Sequence, residues 1–125
     1  MRIEGRISQN NEILIDGSIC KGEKVFQARF KVDTGFVGYD IAVPANIAGE
    51  LGLNPSRVET FSTAVGPERL YVGDDAVLCL GSKSYTVSYV IHYSKFPLIS
   101  INFLKNIAEV MIVDFTNNFV IVILK

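Results

Sequence analysis

Short stretches of alternating apolar and polar residues, each closed by glycine, asparagine, aspartate or proline, recur along almost the whole chain and restrict it to a β-rich fold. Arg2-Ile3-Glu4-Gly5-Arg6-Ile7 leads to Asn10-Asn11, a pair that tolerates positive φ, and Glu12-Ile13-Leu14-Ile15 ends at the turn signal Asp16-Gly17. A first hairpin follows. Ser18-Ile19-Cys20 and Val25 to Val32, separated by the polar Lys21-Gly22-Glu23-Lys24, read as a second pair of strands. Val58 to Val72 alternate around Gly66-Pro67, which predicts a long hairpin whose tip carries Ala64, Val65, Gly66, Pro67 and Glu68. Asp74 to Leu80 and Tyr85 to Ile91 make a third hairpin around Gly81-Ser82-Lys83-Ser84.

Helical patterns are few. Pro44 opens a turn of helix through Ala45 to Leu51 with Gly52 as its cap, and in Asn102 to Glu109 the residues Phe103, Leu104 and Ile107 share one helical face. The tail runs Val110 to Phe115, turns at Thr116-Asn117-Asn118 and returns as Phe119 to Leu124. This last strand is apolar on both faces and so must be covered. The expected class is all-β, with one or two short helices.

At 125 residues the chain is most simply one domain, spanning 1–125, with no repeat and no linker. Its formal net charge is −1 and its lysines and arginines are dispersed, which excludes the electrostatic footprint of a nucleic-acid binder. Charges in Met1-Arg2-Ile3-Glu4-Gly5-Arg6 interrupt any secretory signal, and no apolar run is long enough to span a membrane. The expectation is a soluble, cytoplasmic protein. Cys20 and Cys79 have neither metal-ligand spacing nor the density of a disulfide framework, and no phosphate loop, nucleophile elbow or metal motif occurs. Neither cofactor nor metal is expected. His92, alone in an apolar strand, reads as a core or surface residue.

Chemistry concentrates at Asp33-Thr34-Gly35. Ala28-Arg29-Phe30-Lys31-Val32 alternates as a strand and delivers the Asp33 carboxylate, and the apolar Phe36 to Pro44 follows at once. The plain structural alternative is a tight turn in which Asp33 accepts backbone N–H bonds, a setting where Asp, Thr and Gly are all common.

A strand delivering Asp33-Thr34-Gly35, a central hairpin, the apolar Leu98-Ile99-Ser100 leading into a short helix, and a closing hairpin together resemble a retropepsin-like aspartic protease. The wording Asp-Thr-Gly-Phe, with Tyr39-Asp40-Ile41-Ala42-Val43-Pro44 behind it, is similar to a small prokaryotic group of that clan. The resemblance covers nearly the whole chain and implies a retropepsin-like closed or partly open barrel. It also implies an aspartic endopeptidase acting on peptide or protein substrates. Asp16, Asp40, Asp74, Asp75 and Asp114 lack the Asp-Thr/Ser-Gly setting, so a second catalytic carboxylate has to come from a second copy in a symmetric homodimer. By the same resemblance Asp33 is catalytic, Thr34 holds the two loops together across the dimer, and Gly35 lets backbone N–H groups reach the carboxylate. Ala64, Val65, Gly66 and Pro67 form a flap over the substrate, and Phe119 to Leu124 pairs with the partner copy or lies within its own sheet. Three residues depart from the family pattern: Phe36 after the triplet, Ser100 where glycine is usual, and Pro67 in the flap. They leave a second reading, a retropepsin-like dimerisation or peptide-binding module with weak or no catalysis, and a third, an unrelated small β-barrel.

Overall fold

The computed structural model describes residues 1–36 and 38–125; Val37, in the apolar stretch after Asp-Thr-Gly, lies outside the described residues. The described residues form, in chain order, β1 (Arg2–Ile7), β2 (Ile13–Lys21), β3 (Lys24–Asp33), β4 (Ile41–Pro44), α1 (Ala45–Leu51), β5 (Arg57–Thr63), β6 (Gly66–Leu80), β7 (Lys83–His92), β8 (Leu98–Ser100), α2 (Ile101–Ile107), β9 (Ala108–Asp114) and β10 (Phe119–Leu124). One hydrogen-bonded sheet joins these strands in the order β5-β6-β7-β4-β8-β3-β2-β1-β10-β9. An additional pairing of β2 with β6 bends its middle into a closed barrel of β6, β7, β4, β8, β3 and β2. Closure removes the free edges those six strands would otherwise present. No described helix is long and apolar enough to cross a membrane.

Side chains that alternate along each strand fill the interior. Ile15, Ile19, Phe30, Leu78, Leu80 and Tyr89 are fully buried there, as the period of two demands of a sheet with one dry face. α1 buries Ile47, Ala48 and Leu51 and ends at Gly52 in the left-handed region (φ 70°). α2 buries Phe103 and Leu104.

Two local expectations are corrected. Asp16-Gly17 is not a turn: β2 continues through it, paired with β3 from Leu14 to Lys21, and the chain reverses instead at Gly22-Glu23. Gly17 sits where β2 leaves β1 and reaches β6, and a Cβ there would come within 2.8 Å of Leu80 Cδ2 and 3.0 Å of the Cys79 carbonyl. Close approach, rather than a turn, explains the glycine. In the long hairpin the turn is Ala64-Val65, within the expected tip but two residues before Gly66-Pro67. Gly66 takes the positive φ of 113° and, with Pro67 and Glu68, already belongs to β6.

For the tail, the structure decides between the two alternatives: β10 lies within its own sheet, between β1 and β9, with Val120, Val122 and Leu124 buried, and offers no free edge to a partner copy. Its apolar character is explained inside its own sheet. The edge passes to β9, whose Val110 and Ile112 are 44% and 47% exposed.

Asp75 marks a register shift in β6–β7 pairing between Gly73 and Ala76. Its carboxylate accepts hydrogen bonds from Lys21 Nζ (2.8 Å), Tyr89 OH (2.6 Å) and the Asn54 N–H (2.9 Å). Burial opposes ionisation here, but these donors outweigh it and hold the carboxyl down at about 2. Burial first, and the bond to Asp75 second, raise the Tyr89 phenol. A carboxyl whose folded value lies below its unfolded value contributes stability above the unfolded value and loses it as pH falls through the folded one. Asp75→Asn is therefore expected to cost about 2 kcal/mol at pH 7. In urea unfolding followed against pH, the difference from wild type should shrink between roughly pH 4 and 2.

Candidate active site

Asp33 is the last residue of β3, and its neighbour across the parallel β3–β8 pairing is Ser100. β8 in turn pairs antiparallel with β4, so it threads between the strand that enters the Asp33 loop and the strand that leaves it. Side chains on β8 thus face the loop from behind. Gly35 N–H donates to Asp33 Oδ1 at 2.8 Å, while Thr34 and Gly35 are exposed. The carboxylate is half-buried, held by backbone from one side and open on the other.

Ser100 is 1% exposed and anchors the loop at two points beyond its pairing with Asp33. Its hydroxyl donates to the Phe36 carbonyl (3.0 Å) and accepts from the Asn102 N–H (3.1 Å) as the cap of α2, and its own N–H donates to the Asp40 carbonyl (3.0 Å). Serine therefore fits at this departure from the family pattern: the hydroxyl satisfies a loop carbonyl and a helix N–H that glycine would leave to other partners. Its position directly before a helix is the readable signal, because Ser is a favoured N-cap. Ser100→Ala is expected to lower stability by about 1–2 kcal/mol through the lost cap and the orphaned carbonyl; thermal unfolding measures it.

Asp40 closes the far end of the loop. Its Oδ2 accepts from the Ser88 N–H (2.9 Å), and its own N–H donates to Ser88 Oγ (3.1 Å). Between these anchors Tyr39 reaches the root of the overhanging hairpin. Its hydroxyl donates to the Glu59 carboxylate, Arg57 donates to both Tyr39 OH (3.3 Å) and Glu59 (2.9 Å), and the Tyr39 ring packs on Phe61 at 5.8 Å. Burial first, then Glu59, pushes the Tyr39 phenol up, and the bonds from Tyr39 and Arg57 hold Glu59 down.

The hairpin β5–β6 overhangs the loop and encloses a groove of about 260 Å³. Gly35 and Phe36 form its floor, with Phe61, Thr63, Leu70 and Leu98 among its walls. Thr63 Oγ1 donates to the Gly66 carbonyl (2.7 Å) and accepts from the Val65 N–H (3.3 Å), which shapes the tip; Val65 is 95% exposed. Ala64 is exposed beside it, and Pro67 is exposed on the β6 arm opposite Ser62. Asp33 itself lines an adjoining hollow of about 310 Å³ with Lys31, Lys95 and Phe96. Gly35 and the hairpin arms thus share the groove, while Asp33 lies in the adjoining hollow, the two meeting at His92 and Leu98; Thr34, Ala64, Val65, Gly66 and Pro67 are not among the residues that line either.

His92 is the residue that sequence reasoning missed. It ends β7 and lines both the groove and the hollow. Its imidazole is half-buried, which lowers its pKa, and its Nδ1 lies 2.7 Å from Ser94 Oγ. Only its place at a strand end before Ser94 and Pro97 hinted at this. Among the described residues no group of three or more His, Cys, Asp or Glu is arranged to hold a metal ion.

No protein-family model and no curated protein matches the sequence. The structure, by contrast, is similar to the crystal structure of a retropepsin-like aspartic protease from Rickettsia conorii. The TM-score is 0.71 over 98% of this chain and 89% of that one, at 18% sequence identity. The fold is retropepsin-like.

Proposed function

We propose that this chain is one half of a homodimeric aspartic peptidase of the Asp-Thr-Gly-Phe type, in which Asp33 from each of two copies activates water against a peptide bond. The observation that carries the reading is the Asp33 loop itself. A carboxylate bonded by the Gly35 N–H and backed by Ser100 lines a hollow that adjoins the groove under the β5–β6 hairpin, and the sequence supplies its Asp-Thr-Gly setting only once. Two such carboxylates brought together cannot both ionise and share one proton. The ionised one takes a proton from water as its oxygen attacks the scissile carbonyl carbon, and the protonated one donates to the carbonyl oxygen. Thr34, exposed beside Asp33, would bond across to the partner's loop. An extended peptide would lie along the groove under Ala64, Val65, Gly66 and Pro67, held by main-chain bonds with its apolar side chains toward Phe61 and Leu70.

Support for a second copy comes from the edge strand β9. It presents an unpaired edge with Val110 and Ile112 exposed on the outer face. An antiparallel pairing of β9 with its copy about a two-fold normal to the sheet keeps outer residues opposite outer residues, so the axis must pass through a residue. Centred on Met111, the pairing sets Val110 against Ile112 of the second copy and opposes no two like charges. The test is direct. The purified protein should sediment as a dimer and cleave an unbiased peptide mixture at acidic pH, and a hydroxyl-bearing mimic of the tetrahedral intermediate should inhibit it at one molecule per dimer. A monomer, or a dimer that cleaves nothing across that range, would overturn the reading.

A further inference from the structure

Cys20 and Cys79 are 59 positions apart in the chain, yet their sulfur atoms lie 3.5 Å apart. They stand on the two strands whose pairing closes the barrel, and that seam consists of Ser18↔Cys79, Ile19↔Leu78 and Cys20↔Val77. The cysteines are diagonal neighbours on one face of it. Ile19, Leu78 and Leu80 point into the core, so both thiols point outward, where each is half-buried and neither is bonded to another sulfur. Cys79 has one further polar neighbour, Ser84 Oγ at 3.7 Å. Two thiols in contact on the outer face of a seam form an arrangement that the chemistry at Asp33 does not use.

We infer that Cys20 and Cys79 are a site of reversible oxidation, at which a small disulfide such as oxidised glutathione converts the pair into an intramolecular bond that staples the barrel seam. The step balances without any further reagent. One protein thiolate attacks a glutathione sulfur, breaking the glutathione disulfide and releasing one glutathione thiolate. The second protein thiolate then attacks the mixed disulfide and releases the other. The two protein thiols are oxidised, the glutathione disulfide is reduced, and the two protons lost by the protein are taken up by the departing glutathiones. From 3.5 Å the sulfur atoms need to approach by only about 1.5 Å to reach bonding distance. Burial, and after it the neighbouring Cys79, push the Cys20 thiol up, so exchange should quicken as pH rises from about 7 to 9.

The staple would tie a loop of about sixty residues and restrict the unfolded chain, raising the melting temperature on the order of 10 °C. The experiment uses the whole chain in mixed reduced and oxidised glutathione at mildly alkaline pH. Intact mass should fall by two hydrogens, digestion should yield a Cys20–Cys79 linked peptide, and the melting temperature should rise and return on reduction with dithiothreitol. Cys79→Ser should instead retain glutathione on Cys20 and show no rise. A wild-type protein that carries only glutathione adducts, links to a second chain, or forms the internal bond without gaining thermal stability would overturn the inference. None of these readouts depends on peptide cleavage, so the result stands apart from the fate of the proposed activity.

Discussion

Asp33→Asn is expected to reduce peptide cleavage by at least about 10³-fold while leaving dimer and fold intact. The substitution keeps the shape of the side chain and its bond from the Gly35 N–H, but an amide can neither take a proton from water nor share one with a second carboxylate. Because Asp33 is half-buried at the end of β3 rather than in the core, thermal unfolding should shift little. Mixing makes the result specific. If each active site is built from two Asp33 residues, then after equal amounts of wild type and variant exchange subunits, wild-type dimers make up about a quarter of all dimers. Cleavage should then fall below the half expected of independent sites. Activity that stays at half after exchange, or a fully active variant, would remove Asp33 from the chemistry.

Charging the β9 edge is expected to separate the copies. The double variant Val110→Lys with Ile112→Lys places four ammonium groups across the proposed two-fold, where each lysine meets its like, and the dimer should weaken by at least about 100-fold. Both positions are close to half exposed, so the protomer should keep its circular dichroism and its melting temperature. Cleavage should vanish at concentrations where the variant sediments as a monomer and return as it is concentrated. A variant that remains a tight dimer would place the contact elsewhere, and a monomer with undiminished cleavage would show that one carboxylate suffices. As a further mark, the amides of Met111 and its neighbours should exchange slowly in the wild type and quickly in the variant.

The architecture was legible because it rests on period-two alternation, which survives in β1, β3, β5 and β7 almost residue by residue. The two helices were legible through Pro44, Gly52 and the apolar face of Phe103 and Leu104. What failed were inferences from single turn residues. Asp16-Gly17 looks like a turn, yet the glycine is required by β6 passing overhead, a contact between residues more than sixty positions apart that local pattern cannot carry. The tail stayed undecided between two alternatives for a related reason. Two-sided apolarity says that a strand is covered, but not by which neighbour, and β1 proved to be that neighbour. At the site, Asp33-Thr34-Gly35 stood out by its residue types. Ser100 stood out only as a departure from the family pattern and His92 not at all, because the roles of both depend on what β4, β7 and the Asp33 loop bring beside them.

β6 runs unbroken for 15 residues, from the tip of the overhanging hairpin to the seam at Cys79. It is held along one end like a clamped beam: Val72, Gly73 and Ala76 to Leu80 pair with β7, and the seam with β2 adds a second clamp, whereas Gly66 to Tyr71 pair with β5 alone. Between the free end over the groove and the seam, the ladder to β7 is interrupted at one place, the register shift between Gly73 and Ala76. There the Asp75 carboxylate grips Lys21, Tyr89 and Asn54, forming the pivot of the beam. With its carboxyl held at about 2, the pivot stays charged and tight throughout mild acidity, the range in which a pair of carboxylates sharing a proton would work below it.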